Sequence, residues 1–251
     1  GKSRKLVPRL IRIAAAILVI VASGLLVNQI LNRTTTEVVT ADAQSIETTL
    51  PDGSNITVQK GSFIEYDSDF DKKSRKVALS GEAYFNVASD TSKPFVVAVS
   101  DVMVEVLGTS FFVNGNIGDG DVEVVVTSGK VAVYFASDPD NRIELSSGER
   151  GITSGKGKKI EKSAVKDQNY MAWKTRKIAF NDETLGNVVK TLAKVYDKKI
   201  VITSPGLERC RITASFDKQT LESVLTVIEA TLNVTIVHGA STIEISGNGC
   251  E

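Results

Sequence analysis

With 251 residues, 42% of them hydrophobic and 24% charged, the chain is long enough for two modest folded domains, and wholesale disorder is excluded. The formal net charge of zero hides an asymmetry: residues 1–33 carry six Lys or Arg and no acid, so the remainder is acidic by about six charges. That sign repels phosphate and excludes nucleic-acid binding as the work of the larger part.

Residues 1–12 form a basic flank holding Lys2, Arg4, Lys5, Arg9 and Arg12. Between Arg12 and Arg33 lie 20 consecutive uncharged residues, eleven of them Ile, Leu or Val. A bilayer core needs roughly 20 helical residues, so residues 13–32 are read as a transmembrane helix. The basic flank precedes it, which places the N-terminus in the cytoplasm and the rest of the chain outside. A buried soluble helix would show a polar stripe, absent from Ile13–Val27. A cleaved signal peptide would need a small-residue site where Leu25-Leu26-Val27 stands. The start at Gly1-Lys2-Ser3 reads as the cut edge of a longer cytoplasmic portion.

From 34 to 166 the pattern is strand after strand. Ile56–Val58, Val77–Leu79, Ala83–Val87, Phe95–Val99, Val102–Leu107, Phe111–Val113, Val122–Val126, Val131–Phe135 and Ile143–Leu145 are short β-branched or aromatic runs. Gly, Asp, Asn and Ser separate them, predicting an all-β sandwich, roll or short solenoid. Ser154–Gln168, rich in Lys and Gly, is read as a polar connection.

Residues 170–251 change grammar. Ile178–Phe180 is a predicted strand, Leu185–Tyr196 a helix, Ile200–Ile202 a strand, and Pro205-Gly206 a turn. Ile212, Ala214 and Phe216 share one face of the next strand, a helix spans about Thr220–Leu232, and Thr235–Val237 and Thr242–Ile245 close the set. Strand–helix–strand thus occurs twice in a small α+β module, making the whole an α+β multi-domain chain.

Catalytic signatures are missing. There is one histidine, His238, and no C-x-x-C, H-E-x-x-H, G-x-S-x-G or P-loop pattern, so neither enzyme chemistry nor a metal or other cofactor is expected. Asp67-Ser68-Asp69-Phe70-Asp71 opens like a calcium loop but has Lys72 where Gly is needed and Ala78 where Glu is needed. Cys210 precedes the predicted strand at Ile212–Phe216 and Cys250 follows the last strand, so they could meet in a disulfide; two unpaired thiols are the alternative. A strand edge can accept a partner strand, which makes Ile212, Ala214 and Phe216, with Thr242 and Ile245, the candidate partner-binding residues.

Five motifs occur in order: Leu50-Pro51-Asp52-Gly53-Ser54, Ser80-Gly81-Glu82-Ala83-Tyr84-Phe85-Asn86-Val87, Pro94-Phe95-Val96-Val97, Val106-Leu107-Gly108-Thr109-Ser110-Phe111-Phe112-Val113 and Ser147-Gly148-Glu149-Arg150. The succession resembles the FecR family of sigma-factor regulators over roughly residues 38–150. The last module, from Ala172-Trp173-Lys174 through Phe180 and Leu185 to the two helices, is similar to the one that accompanies FecR domains in Bacteroidetes. That module is similar in turn to the short N-terminal domain of secretins and TonB-dependent transporters. Arg176 departs from the pattern, where Gly is expected after the Trp.

The resemblance implies an anti-sigma factor of the inner membrane with a periplasmic ectodomain. Its partners would be the signalling domain of a TonB-dependent outer-membrane transporter and, through the cytoplasmic segment, an extracytoplasmic-function sigma factor. It also implies a possible self-cleavage, with the Thr109 hydroxyl attacking the Gly108 carbonyl. The alternative function, a periplasmic carbohydrate- or envelope-binding module, would need an aromatic platform. Only 6% of residues are aromatic, and Phe85, Phe95 and Phe111 alternate as core residues do.

Overall fold

The computed structural model describes residues 11, 14–24, 35–72, 74–118, 120–154 and 158–250. Residues 14–24 are helical (α1), with exposed side chains. Among the described residues no helix is long and apolar enough to cross a membrane. The predicted span 13–32 lies outside the described residues at 13 and 25–32.

Two seven-stranded sheets follow. The first runs in the spatial order β1 (Thr36–Ala41), β4 (Ser62–Asp67), β5 (Arg75–Ser80), β7 (Phe95–Val99), β8 (Val102–Val106), β11 (Lys130–Phe135) and β12 (Asp138–Ser146). The second runs β14 (Lys159–Ala164), β13 (Glu149–Ser154), β10 (Glu123–Ser128), β9 (Ser110–Asn114), β6 (Glu82–Asn86), β3 (Asn55–Val58) and β2 (Ile46–Thr49). β5 and β7 pair in parallel, and the neighbouring β7–β8 and β4–β5 pairs are antiparallel.

Alternation dictates which residues face inward. In β5, Arg75, Val77 and Leu79 are buried while Lys76, Ala78 and Ser80 are exposed; β7 and β8 repeat the period of two. The inward rows of both sheets meet in one core, where Phe85 stacks on Phe111 with centroids 5.1 Å apart. Phe95 meets Phe85 edge-on at 6.2 Å, and Phe70 meets Phe95 at 5.9 Å. Each fully buried ring contributes about 1.5–3 kcal/mol. The sandwich is thereby chosen over the roll and the solenoid.

The second sheet is buried on both faces at its centre. Val124 and Val126 face the sandwich core, whereas Val125 and Phe112 pack with Trp173 on the opposite face. A continuous apolar run is what such a strand needs.

Ser154–Gln168 is not simply a polar connection. Within it β14 pairs antiparallel with β13, from Glu149 opposite Ala164 to Ser154 opposite Lys159. Ile160 is the strand's partly buried apolar contact with the core. An edge strand is held by main-chain bonds and tolerates lysines, which is why composition hid it.

The last module consists of α2 (Ala172–Thr175), β15 (Lys177–Thr184), α3 (Leu185–Tyr196), β16 (Lys199–Ile202), a 3-10 turn (Leu207–Arg209), β17 (Arg211–Asp217), α4 (Leu221–Leu232), β18 (Thr235–His238) and β19 (Thr242–Ser246). Thr184 caps α3, accepting from the Asn187 N–H at 3.4 Å, and Thr220 caps α4, accepting from Ser223 at 3.2 Å. Asp197 and Asn233 close the two helices in the left-handed region. β15 pairs with β17, and β16, β19 and β18 form a three-stranded sheet in that order. The helices pack Leu185, Val188, Leu192, Val224, Leu225 and Ile228 into a core of their own.

Candidate docking surface

The module sits against the outer face of the second sheet. Tyr84, Phe112 and Val125 on that face pack with Val165, Tyr170 and Trp173, the last only 6% exposed. Burial beside Tyr84 pushes the Tyr170 hydroxyl above the usual phenol range. Three lysines frame the patch. Lys174 Nζ donates to Thr57 Oγ1 at 2.6 Å and lies 5.4 Å over the Tyr84 ring. Lys194 pairs with Glu82 at 2.8 Å, and Lys60 of the sandwich pairs with Asp197 of the module at 2.6 Å. Arg176, the departure from the expected Gly, has φ 57° and ends α2 in the left-handed region. The backbone there is the one a Gly would supply, and the Arg176 guanidinium lies 5.1 Å over the Tyr196 ring.

Gly108 and Thr109 lie between β8 and β9 at a crowded crossing. A Cβ on Gly108 would come within 2.6 Å of the Ser89 Cα, so no larger residue fits. Thr109 is 5% exposed, and its hydroxyl donates to the Lys130 carbonyl at 2.8 Å. A carbonyl fixes the hydroxyl but cannot take its proton. The nearby ionisable groups are already engaged: Lys130 with Glu144 at 2.8 Å, and Glu105 with the Tyr134 hydroxyl at 3.0 Å.

The candidate strand residues are brought to unequal positions. Ile212 and Phe216 are buried in the module core, with Ala214 packed against it, so β17 presents Arg211, Thr213, Ser215 and Asp217 outward. A partner there would meet the main chain of β17 and these outward side chains, not Ile212 or Phe216. Thr242 and Ile245 belong to β19, the middle strand, hydrogen-bonded to β16 on one side and β18 on the other. The reading of β19 as an edge is therefore corrected. The period of two cannot rank strands within a sheet, and the parallel β16–β19 pairing arises only in three dimensions. Cys210 and Cys250 are joined as a disulfide, with Cα atoms 5.6 Å apart. No cluster of metal-binding side chains is found among the described residues.

The sequence reading missed the most constrained polar group. Arg75 is 1% exposed and paired with Asp52 at 3.2 Å. Its place on the same face as Val77 and Leu79 was the available signal.

The FecR family model, described as FecR protein, matches residues 36–132, and the model described as FecR, C-terminal matches residues 177–245. The chain belongs to the FecR family. The first match runs from β1 into β11 and leaves β12, β13 and β14 of the sandwich beyond it, and the second spans the module from β15 into β19. Two crystal structures of a candidate anti-sigma factor from Parabacteroides distasonis, at 1.65 and 2.50 Å, are similar in structure. Each is 28% identical with a TM-score of 0.66, and the match covers 85% or 86% of this chain and 100% of that one. No curated protein matches the chain significantly. A FecR-family chain of this kind is a regulator rather than a typical enzyme.

Proposed function

We propose that this FecR-family chain is a membrane-anchored regulator of an extracytoplasmic-function sigma factor, and that its extracytoplasmic part takes a signal from a TonB-dependent outer-membrane transporter by direct protein contact. The observation that carries the reading is the pairing of the two FecR-type units in one body. The sandwich holds the module through Trp173 and three lysines while leaving strand edges of the module unpaired. A module presented in a fixed orientation suits recognition of another protein. The similarity to a candidate anti-sigma factor supports the sigma-factor side of the reading.

Residues 13–32 supply the anchor in this reading, the ectodomain lies in the periplasm, and the sigma-factor contact belongs to the cytoplasmic side. The test is calorimetry of the full chain in detergent against the periplasmic signalling domain of a transporter encoded beside it. Micromolar or tighter binding is expected. Silence against every such domain would remove the transporter from the scheme and leave the family assignment standing.

A further inference from the structure

β16 is an edge strand, paired in parallel with β19 alone. The Thr203 N–H donates inward to the Ile245 carbonyl at 2.9 Å. Main-chain groups alternate direction along a strand, so the N–H and C=O groups of Ile200 and Ile202 point outward, away from the sheet. Four residues of edge are enough to seat a short partner strand.

A groove of about 760 Å3 opens beside this edge. Ile200, Ile202 and Val189 supply its apolar part, and Lys190, Arg209 and Arg211 supply positive charge against the single acid Glu208. Arg211 is held by Asp182 at 3.1 Å. Lys190 and Arg209 are both exposed, and neither is joined to an acid among the described ion pairs. The opposite edge of the same sheet is less open. There the Ile236 N–H is already occupied by the Glu229 carboxylate at 3.1 Å.

We propose that the β16 edge accepts an extended, acidic strand of a partner protein. Its main chain would bond the outward groups of Ile200 and Ile202 while its carboxylates face Lys190 and Arg209. Main-chain bonds supply the fit and the alternate side chains the selectivity. The same charges disfavour a second copy of this chain, because edge-to-edge pairing would bring Lys190 and Arg209 against their own equivalents. The proposal holds whether or not the partner is a transporter, and whether or not β17 takes a strand of its own.

The test uses the full chain in detergent and two blocked octapeptides, one alternating Glu with Val and the other Lys with Val. Hydrogen–deuterium exchange and calorimetry are the readouts. The acidic peptide is expected to bind and to slow exchange at Ile200 and Ile202, with the lysine peptide inactive. Lys190→Glu with Arg209→Glu should weaken the acidic peptide about tenfold or more and shift preference toward the lysine peptide. Both substituted side chains are exposed, so the unbound exchange pattern should be unchanged, which separates lost binding from lost folding. Equal binding of the two peptides would overturn the proposal. So would protection at β17 or β18 instead, or protection that rises with chain concentration without peptide.

Discussion

Asp52 and Arg75 form a buried ion pair, 3.2 Å between Oδ2 and Nη1, with side chains 3% and 1% exposed. The same carboxylate accepts from the Ser54 N–H at 2.9 Å and its hydroxyl at 2.7 Å, and the Ser54 oxygen in turn accepts from the Ala88 N–H at 3.0 Å. The guanidinium also donates to the carbonyls of Ala88, Asp90 and Lys93. The Pro51-Asp52-Gly53-Ser54 turn is therefore a clamp that ties three separate segments together around one cation.

Removing one partner leaves the other charged and buried. Asp52→Ala is expected to destabilise the sandwich by about 3–5 kcal/mol, measured by urea unfolding. Arg75→Lys should also fold poorly, because a single ammonium cannot reproduce the fork that reaches Asp52 and the carbonyls. Stability equal to the parent in both variants would refute the clamp.

At Thr109 the expectation is a structural role. The wild-type chain and Thr109→Ala should both stay at full length on a gel after long incubation at 37 °C. The variant should lose about 1–2 kcal/mol with its buried hydrogen bond to Lys130. Fragments that appear only in the wild type, divided between Gly108 and Thr109, would restore self-processing.

Trp173 is the single tryptophan of the chain, so its fluorescence reports the joint alone. Its Nε1 has no hydrogen-bond partner among the described residues. Trp173→Phe should therefore be tolerated, whereas Trp173→Ala should cost about 3–5 kcal/mol. In the parent, a red shift should accompany separation of module and sandwich under mild denaturant. Salt should promote it only slightly, since the Lys60–Asp197 pair is largely exposed.

The disulfide between Cys210 and Cys250 closes a stretch of 40 residues, for which chain entropy gives a stabilisation of about 4 kcal/mol. Reduction should lower the melting temperature of the module and leave the sandwich transition in place. A single unchanged transition would show that the bond does not hold the module.

Glu183 accepts from the Asn187 side chain at 2.9 Å and from the Thr184 N–H at 3.0 Å, and these bonds hold its carboxyl below the usual range. A lowered carboxyl stabilises the folded chain above the unfolded value of about 4.3, and the contribution fades as pH falls through the folded value. Glu183→Gln should flatten that part of the acid titration of helix stability. An acid profile that does not respond would locate the titration elsewhere.

The sequence by itself determined the local elements and the two-unit order. The Val and Phe runs, the Thr caps and the spacing of Leu185, Val188 and Leu192 act within a few residues, and they form the elements their pattern dictates. The five motifs likewise marked the family, because all of them stand in the sequence in one order. Only the tertiary structure decided that the strands close into a sandwich, that β14 exists, and that β19 is central while β16 is the edge. It also decided that Trp173 joins the two units and that Arg75 finds Asp52. Apart from the β13–β14 hairpin, these join segments far apart in the chain, through main-chain bonds, apolar packing and buried charge. The alternation in β5 puts Arg75 on the inward face but does not name its partner, and main-chain pairing leaves no periodic trace.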